Sequence, residues 1–245
     1  MFRCAALLSM QKRLKKIYRK SVPNALAGPI NSIYRKFNNP NPVVPTHEGQ
    51  ILDELKAFFV HLPRTGGTSV EQVLRPLTAK EPLFGHTTAA EFQMIYPEQW
   101  KQYYSFAFVR NPWDRLASTF FYVQRSHRNS FFVKHFVLPH RDDLSAFVIK
   151  VLKDNPTAAF MMEHFRPQFT YVCNPDRSIA VDFVGRFEKI NEDWEVVREK
   201  LGIESPLPHT NPSKRSHYSK HFSDEAAGVI GEVYREDIEL FGYEY

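Results

Sequence analysis

Cysteine is almost absent. Cys4 and Cys173 are the only two in 245 residues, too few to staple a chain of this size, so the fold must rest on a buried core in a reducing setting. Ten glycines and 17 prolines without a repeat exclude a collagen-like chain. No run of about 18 apolar residues occurs, which argues against a transmembrane helix. The apolar stretch from Phe2 to Met10, broken by Arg3, is too short for a secretory signal. These absences lead to the expectation of a cytoplasmic protein.

Apolar residues make up 43% of the chain and charged residues 24%, enough for one large domain or two small ones. The net charge of +5 suggests a nucleic-acid partner until it is located. Residues 1–50 carry nine Lys and Arg against one acid, Glu48, whereas the other 195 residues carry 23 against 26. The basicity therefore belongs to an N-terminal arm, and a nucleic-acid partner is not expected. Within that arm Met10, Leu14, Ile17 and Tyr18 fall at helical spacing among cations. The pattern fits either peripheral attachment to an anionic membrane surface or a solvated helix. Prolines 40, 42 and 45 then each remove a backbone donor, so an extended linker separates the arm, 1–45, from a domain at 46–245.

Two short apolar runs each end in an unusual loop. Lys56 to Leu62 reads as a strand buried on both faces and leads through Pro63-Arg64-Thr65-Gly66-Gly67-Thr68-Ser69 into a helix from Val70 to Leu77. Tyr104 to Val109 repeats the pattern, stops at Arg110-Asn111-Pro112, and gives way to a helix from Trp113 through Val123. A third strand is expected over Ile179 to Val184, with mostly helical stretches over 125–170 and 224–240. Strands alternating with helices predict an α/β fold on a parallel sheet, with ligands at the carboxyl ends of the strands.

Between a buried strand and a helix, Arg64 to Ser69 is an anion cradle in composition. Gly66 and Gly67 free the backbone to curl its N–H groups toward one point, Thr68 and Ser69 add hydroxyls, and Arg64 adds a fixed cation. An ATP-type loop would have Lys before its metal-binding hydroxyl and an acid on a neighbouring strand. Here the neighbouring strand ends in Arg110, which suits an anion held without a metal.

The segment from Pro63 to Ser69 resembles the P-K-T-G-G-T-S loop that grips the 5′-phosphosulfate in sulfotransferases, and Arg110-Asn111-Pro112-Trp113-Asp114-Arg115-Leu116-Ala117-Ser118 resembles their R-N-P-x-D-R-x-x-S element for the 3′-phosphate. Gly185 to Glu188 and Tyr234 to Tyr243 are similar to late blocks of membrane-type carbohydrate sulfotransferases of the heparan-sulfate 2-O-like kind. The resemblance implies a P-loop-like, three-layer fold with a central parallel sheet flanked by helices. It also implies transfer of a sulfuryl group from 3′-phosphoadenosine 5′-phosphosulfate (PAPS) to a hydroxyl of a carbohydrate or glycoconjugate, without a metal.

In that reading Arg110 and Ser118 hold the 3′-phosphate, while Thr65, Gly66, Gly67, Thr68 and Ser69 hold the 5′-phosphate. Arg64, which stands where the family usually has Lys, stabilises the leaving oxygen electrostatically but is a poor acid. The attacking hydroxyl needs a base. His86 is favoured because the family places a base at the end of the next strand, and His61 reads as a core histidine. His164 and Arg166 are candidates for acceptor contact, and Lys214 and Arg215, in a basic loop before Tyr218, for closure over the nucleotide. Cations among Phe131, Phe132 and Phe136 would suit an anionic glycan, although the aromatics also read as core. Two other readings are a metal-dependent P-loop kinase or NTPase and a non-enzymatic protein that binds through its basic arm.

Overall fold

The computed structural model describes residues 51–78, 85–208 and 217–245. The basic arm, the proline-rich linker, Lys214 and Arg215 lie outside these residues. Four strands form one sheet in the order β1 (Ile51–Leu52), β2 (Ala57–Val60), β3 (Tyr104–Val109) and β4 (Phe183–Arg186). β1 runs antiparallel at the edge, whereas β2–β3 and β3–β4 are parallel pairs.

Period-two alternation sends successive side chains to opposite faces. Phe58, Val60, Ala107 and Val109 face one side, where Phe92, Tyr171 and Phe241 cover them. Ala57, Phe59, Phe106 and Phe108 face the other, against Val70, Leu74, Trp194 and Val197. Helices α2 (Ala89–Ile95) and α6 (Arg235–Phe241) contribute to the first side and α1 (Gly67–Leu74) and α4 (Ile190–Leu201) to the second, while α3 (Pro112–Ser126) and α5 (Asp224–Val233) bury their apolar residues elsewhere. The result is the expected α/β architecture, a central, mostly parallel sheet between two helical layers. A third core gathers α3, α5 and the short helical turns of 133–165 around Phe120, Phe147 and Ile230. No helix among the described residues is long and apolar enough to cross a membrane.

Three expectations shift. The third strand begins at Phe183 rather than Ile179, because Ile179 is drawn into an isolated bridge with Cys173. Helix α1 starts three residues early, at Gly67, and ends in a 3₁₀ turn over Arg75–Leu77 around Pro76. His86 lies in coil rather than at a strand end, two residues before Thr88, which caps α2 in a reciprocal box with Glu91. Phe132 and Phe136 pack against the core, while Phe131 stays 52% exposed.

Candidate active site

Because β2 and β3 are parallel neighbours, the loops that follow them emerge at the same edge of the sheet. After β2 the chain curls sharply: Arg64 has φ +68° and Gly66 φ +87°. An L side chain pays for that left-handed conformation, which Gly66 adopts without penalty. Thr65 turns its hydroxyl back to the Leu62 carbonyl at 3.0 Å, and the Ser69 N–H closes a turn on the Gly66 carbonyl at 3.0 Å. Helix α1 therefore starts from a glycine with no side-chain cap. Gly67 is required for space, since a Cβ there would lie 2.0 Å from Nε2 of His61. The loop thus curls into a helix start that has no side-chain cap, with Thr68 exposed beside it.

After β3, Asn111 caps α3 by accepting from the N–H groups of Trp113 and Asp114, and Pro112 takes the first helical position, where its missing donor costs nothing. The side-chain amide of Gln168 accepts from the Arg110 N–H and donates to the Arg110 carbonyl, both at 2.8 Å, so it prolongs the β3 edge as a peptide would. Buried Asp237 orients Gln168 by accepting from its backbone N–H at 2.8 Å.

The Arg110 guanidinium, so anchored, donates Nε–H and Nη2–H to Asp114 at 2.8 and 2.7 Å and Nη1–H to the Arg64 carbonyl at 3.1 Å. It also lies 3.9 Å from the centre of the Phe187 ring. Three of its five donors are in these bonds. Ser118, expected to share the 3′-phosphate with Arg110, is bonded here to Arg64. Ser118 Oγ accepts from Arg64 Nε at 3.2 Å, because two helical turns carry Ser118 toward the first loop. The Arg64 guanidinium also sits 4.3 Å over the Tyr122 ring.

Histidines gather on that side. Rings of His61 and His86 lie 4.8 Å apart, His86 and His164 5.6 Å, and His164 and His127 4.6 Å, with Tyr122 stacked on His164 at 5.3 Å. His86 Nδ1 is 3.0 Å from the His61 carbonyl, which can only accept, so Nδ1 carries the proton and Nε2 the lone pair. Burial, and next the neighbouring His61, lowers His86 to about 4; burial, His127 and His86 lower His164 to about 3. Both rings are therefore neutral near pH 7, and His86 departs from the near-neutral value expected of a base. His61 is the packed histidine anticipated: its Nδ1 meets Glu71 at 2.8 Å and its ring stacks on Phe59.

Arg166 lies along the same wall, its guanidinium 5.5 Å from the Tyr171 ring centre, and its carbonyl accepts from Arg115 at 2.9 Å. The structure thus brings together Arg64, the loop to Ser69, Arg110 and Ser118 at one strand edge, with His86, His164 and Arg166 beside them.

Sequence reasoning assigned no role to Arg115, Tyr122, Gln168 or Asp237. Arg115 is buried and ties the Pro63 carbonyl to the Arg166 carbonyl, joining the first loop to the histidine wall. One signal was available: Tyr234, Asp237, Ile238 and Phe241 fall on one helical face, so the acid sits in an apolar stripe. A group placed there must be hydrogen-bonded.

No curated protein and no solved structure matches this chain. The profile of the Sulfotransferase family matches residues 50–244, which include both loops, all four strands and the histidine wall. With four-fifths of its length covered by that match, the chain belongs to the sulfotransferase family.

Proposed function

We propose that this protein transfers a sulfuryl group from PAPS to a hydroxyl of a carbohydrate or glycoconjugate. The observation that carries the reading is the 3.1 Å bond from Arg110 Nη1 to the Arg64 carbonyl, which joins the loops after β2 and β3 and supports their serving one bisphosphorylated nucleotide. The chemistry of the residues fits such a donor: an uncapped, glycine-rich helix start for one phosphate, and a guanidinium with two further donors for the other. The carbohydrate class rests on the resemblance of the late sequence blocks.

Bound PAPS supplies the activated sulfuryl group and leaves as 3′-phosphoadenosine 5′-phosphate. The amides of Gly66, Gly67 and Thr68 hold the 5′-phosphate, beside the Ser69 N–H that closes the turn on Gly66, and Arg110 holds the 3′-phosphate. Arg64, kept in place by Ser118 and Tyr122, faces the oxygen that gains charge as the S–O bond breaks. His86 Nε2 accepts the proton of the acceptor hydroxyl, whose oxygen forms the new bond to sulfur. The His61 carbonyl fixes the tautomer that makes Nε2 the acceptor. His164 and Arg166 line the acceptor side. No metal takes part in these steps.

The test is radiolabelled PAPS offered with a panel of glycans. Label passes to at least one glycan with the wild-type chain and falls at least a hundredfold in His86→Ala with unchanged circular dichroism. Wild-type turnover in His86→Ala overturns the assignment of the base.

A further inference from the structure

The histidine wall has a property that proton transfer does not use. One ligand atom from each of His86, Glu163 and His164 lies within 4.8 Å of the other two. His164 is 5% exposed, its Nδ1 is buried without a hydrogen-bond partner, and that atom is 3.9 Å from Glu163 Oε1. A buried, unpartnered imidazole nitrogen beside a carboxylate is costly unless a cation or a donor takes its lone pair.

From this cluster we infer that His86, Glu163 and His164 form a three-ligand site for a divalent transition ion of the zinc class, with a fourth position open. Two imidazoles and one carboxylate are the donor set such ions take when one coordination position stays open.

The surroundings are arranged as a ligand set requires. The other nitrogen of His86 already donates to the His61 carbonyl, the outer contact that orients metal-binding histidines. His164 packs against the rings of Tyr122 and His127, which also contact each other, and its own carbonyl accepts from Thr119 at 3.1 Å. Glu163 is exposed, and its Oε1 is already 3.9 Å from His164 Nδ1, close to the ligand spacing of about 3.4 Å around tetrahedral zinc. Arg64 and Arg115 add positive charge near His164, and Arg115 and Arg166 near His86. Those cations keep the affinity moderate, so the site loads and unloads rather than holding a permanent ion.

The consequence for the reaction rests on the assignment of His86 as base in the preceding section. A bound ion takes the Nε2 lone pair that the acceptor proton needs, so zinc is a reversible inhibitor of transfer.

The site itself is tested with metal alone, without nucleotide. Titration of the full chain with Zn²⁺ in a calorimeter yields one ion per chain, and Co²⁺ gives the visible absorption of a low-coordinate histidine site. Glu163→Gln, at an exposed position that spares the fold, weakens binding roughly tenfold, and His86→Asn or His164→Asn roughly a hundredfold. His135→Asn, at an exposed histidine away from the cluster, changes nothing. Absence of stoichiometric binding, or affinity unchanged in Glu163→Gln and both histidine variants, overturns the inference and leaves the sulfuryl-transfer reading intact. Zinc binding that follows these variants in a chain that transfers no label upholds the site and removes the transfer reading instead.

Discussion

The guanidinium of Arg110 reaches across from β3 to the carbonyl of Arg64 at 3.1 Å, so the residue that ends one strand holds the loop that ends its neighbour. Charge-assisted bonds of this kind are worth about 1.5–3 kcal/mol each. Arg110→Ala should therefore weaken binding of 3′-phosphoadenosine 5′-phosphate by about 10- to 100-fold in calorimetry. Arg110→Lys should recover only part of the loss, because an ammonium cannot serve Asp114 and the loop together.

In the proposed reaction Arg64 acts through its charge. Alanine there should lower kcat about 10²- to 10³-fold with a smaller change in nucleotide affinity, as expected for a group that matters most when charge develops. Arg64→Lys should lose less than Arg64→Ala, since lysine keeps the positive charge although it gives up the planar contact with Tyr122 and the Nε bond to Ser118. Equal losses in both variants would mean that the Ser118 and Tyr122 contacts, and not the charge, are what the position supplies.

Gly67 and His61 compete for one volume. His61 has little room to retreat, because Phe59 stacks on its ring and the Glu71 carboxylate lies 2.8 Å from its Nδ1. A methyl at Gly67 should cost about 1–3 kcal/mol in denaturant unfolding. His61→Ala should remove most of that cost, giving a favourable coupling in the double-mutant cycle. Gly67→Ala as stable as wild type would contradict the packing described here.

Asp237 gives the pH dependence of stability. Burial raises its carboxyl from 3.8 to about 6, although the Gln168 and Phe169 N–H groups oppose the shift. A folded-state value above the unfolded one means that its contribution is full below about pH 4 and is lost as pH rises through 6. The stability of wild type relative to Asp237→Asn should therefore fall by roughly 2–3 kcal/mol between pH 4 and 7. A pH-independent difference would show that the fold does not favour the protonated acid.

The two loops were legible because their chemistry is local. Glycines that curl, a capping asparagine and a helix-starting proline declare themselves within a few residues, and Tyr104–Val109 was delimited to the residue by its apolar run. Long-range partnerships were not. Ser118 joins Arg64 across 54 positions and Gln168 joins Arg110 across 58, and no spacing rule connects residues brought together by sheet order. Ile179 was placed in a strand because its side chain is right for one. Its neighbour was decided instead by the turn at 174–178, where Asn174 and Ser178 close on each other. One histidine in ten could be singled out as a candidate, but its ladder of neighbours depends on four separate segments meeting.

The most direct test is calorimetric titration of the full chain with 3′-phosphoadenosine 5′-phosphate. One molecule per chain should bind, with affinity reduced in Arg64→Ala, further reduced in Arg110→Ala, and lowest in the double variant. A chain that binds none of this nucleotide, or binds it equally well after both substitutions, would contradict a shared donor site at the ends of β2 and β3.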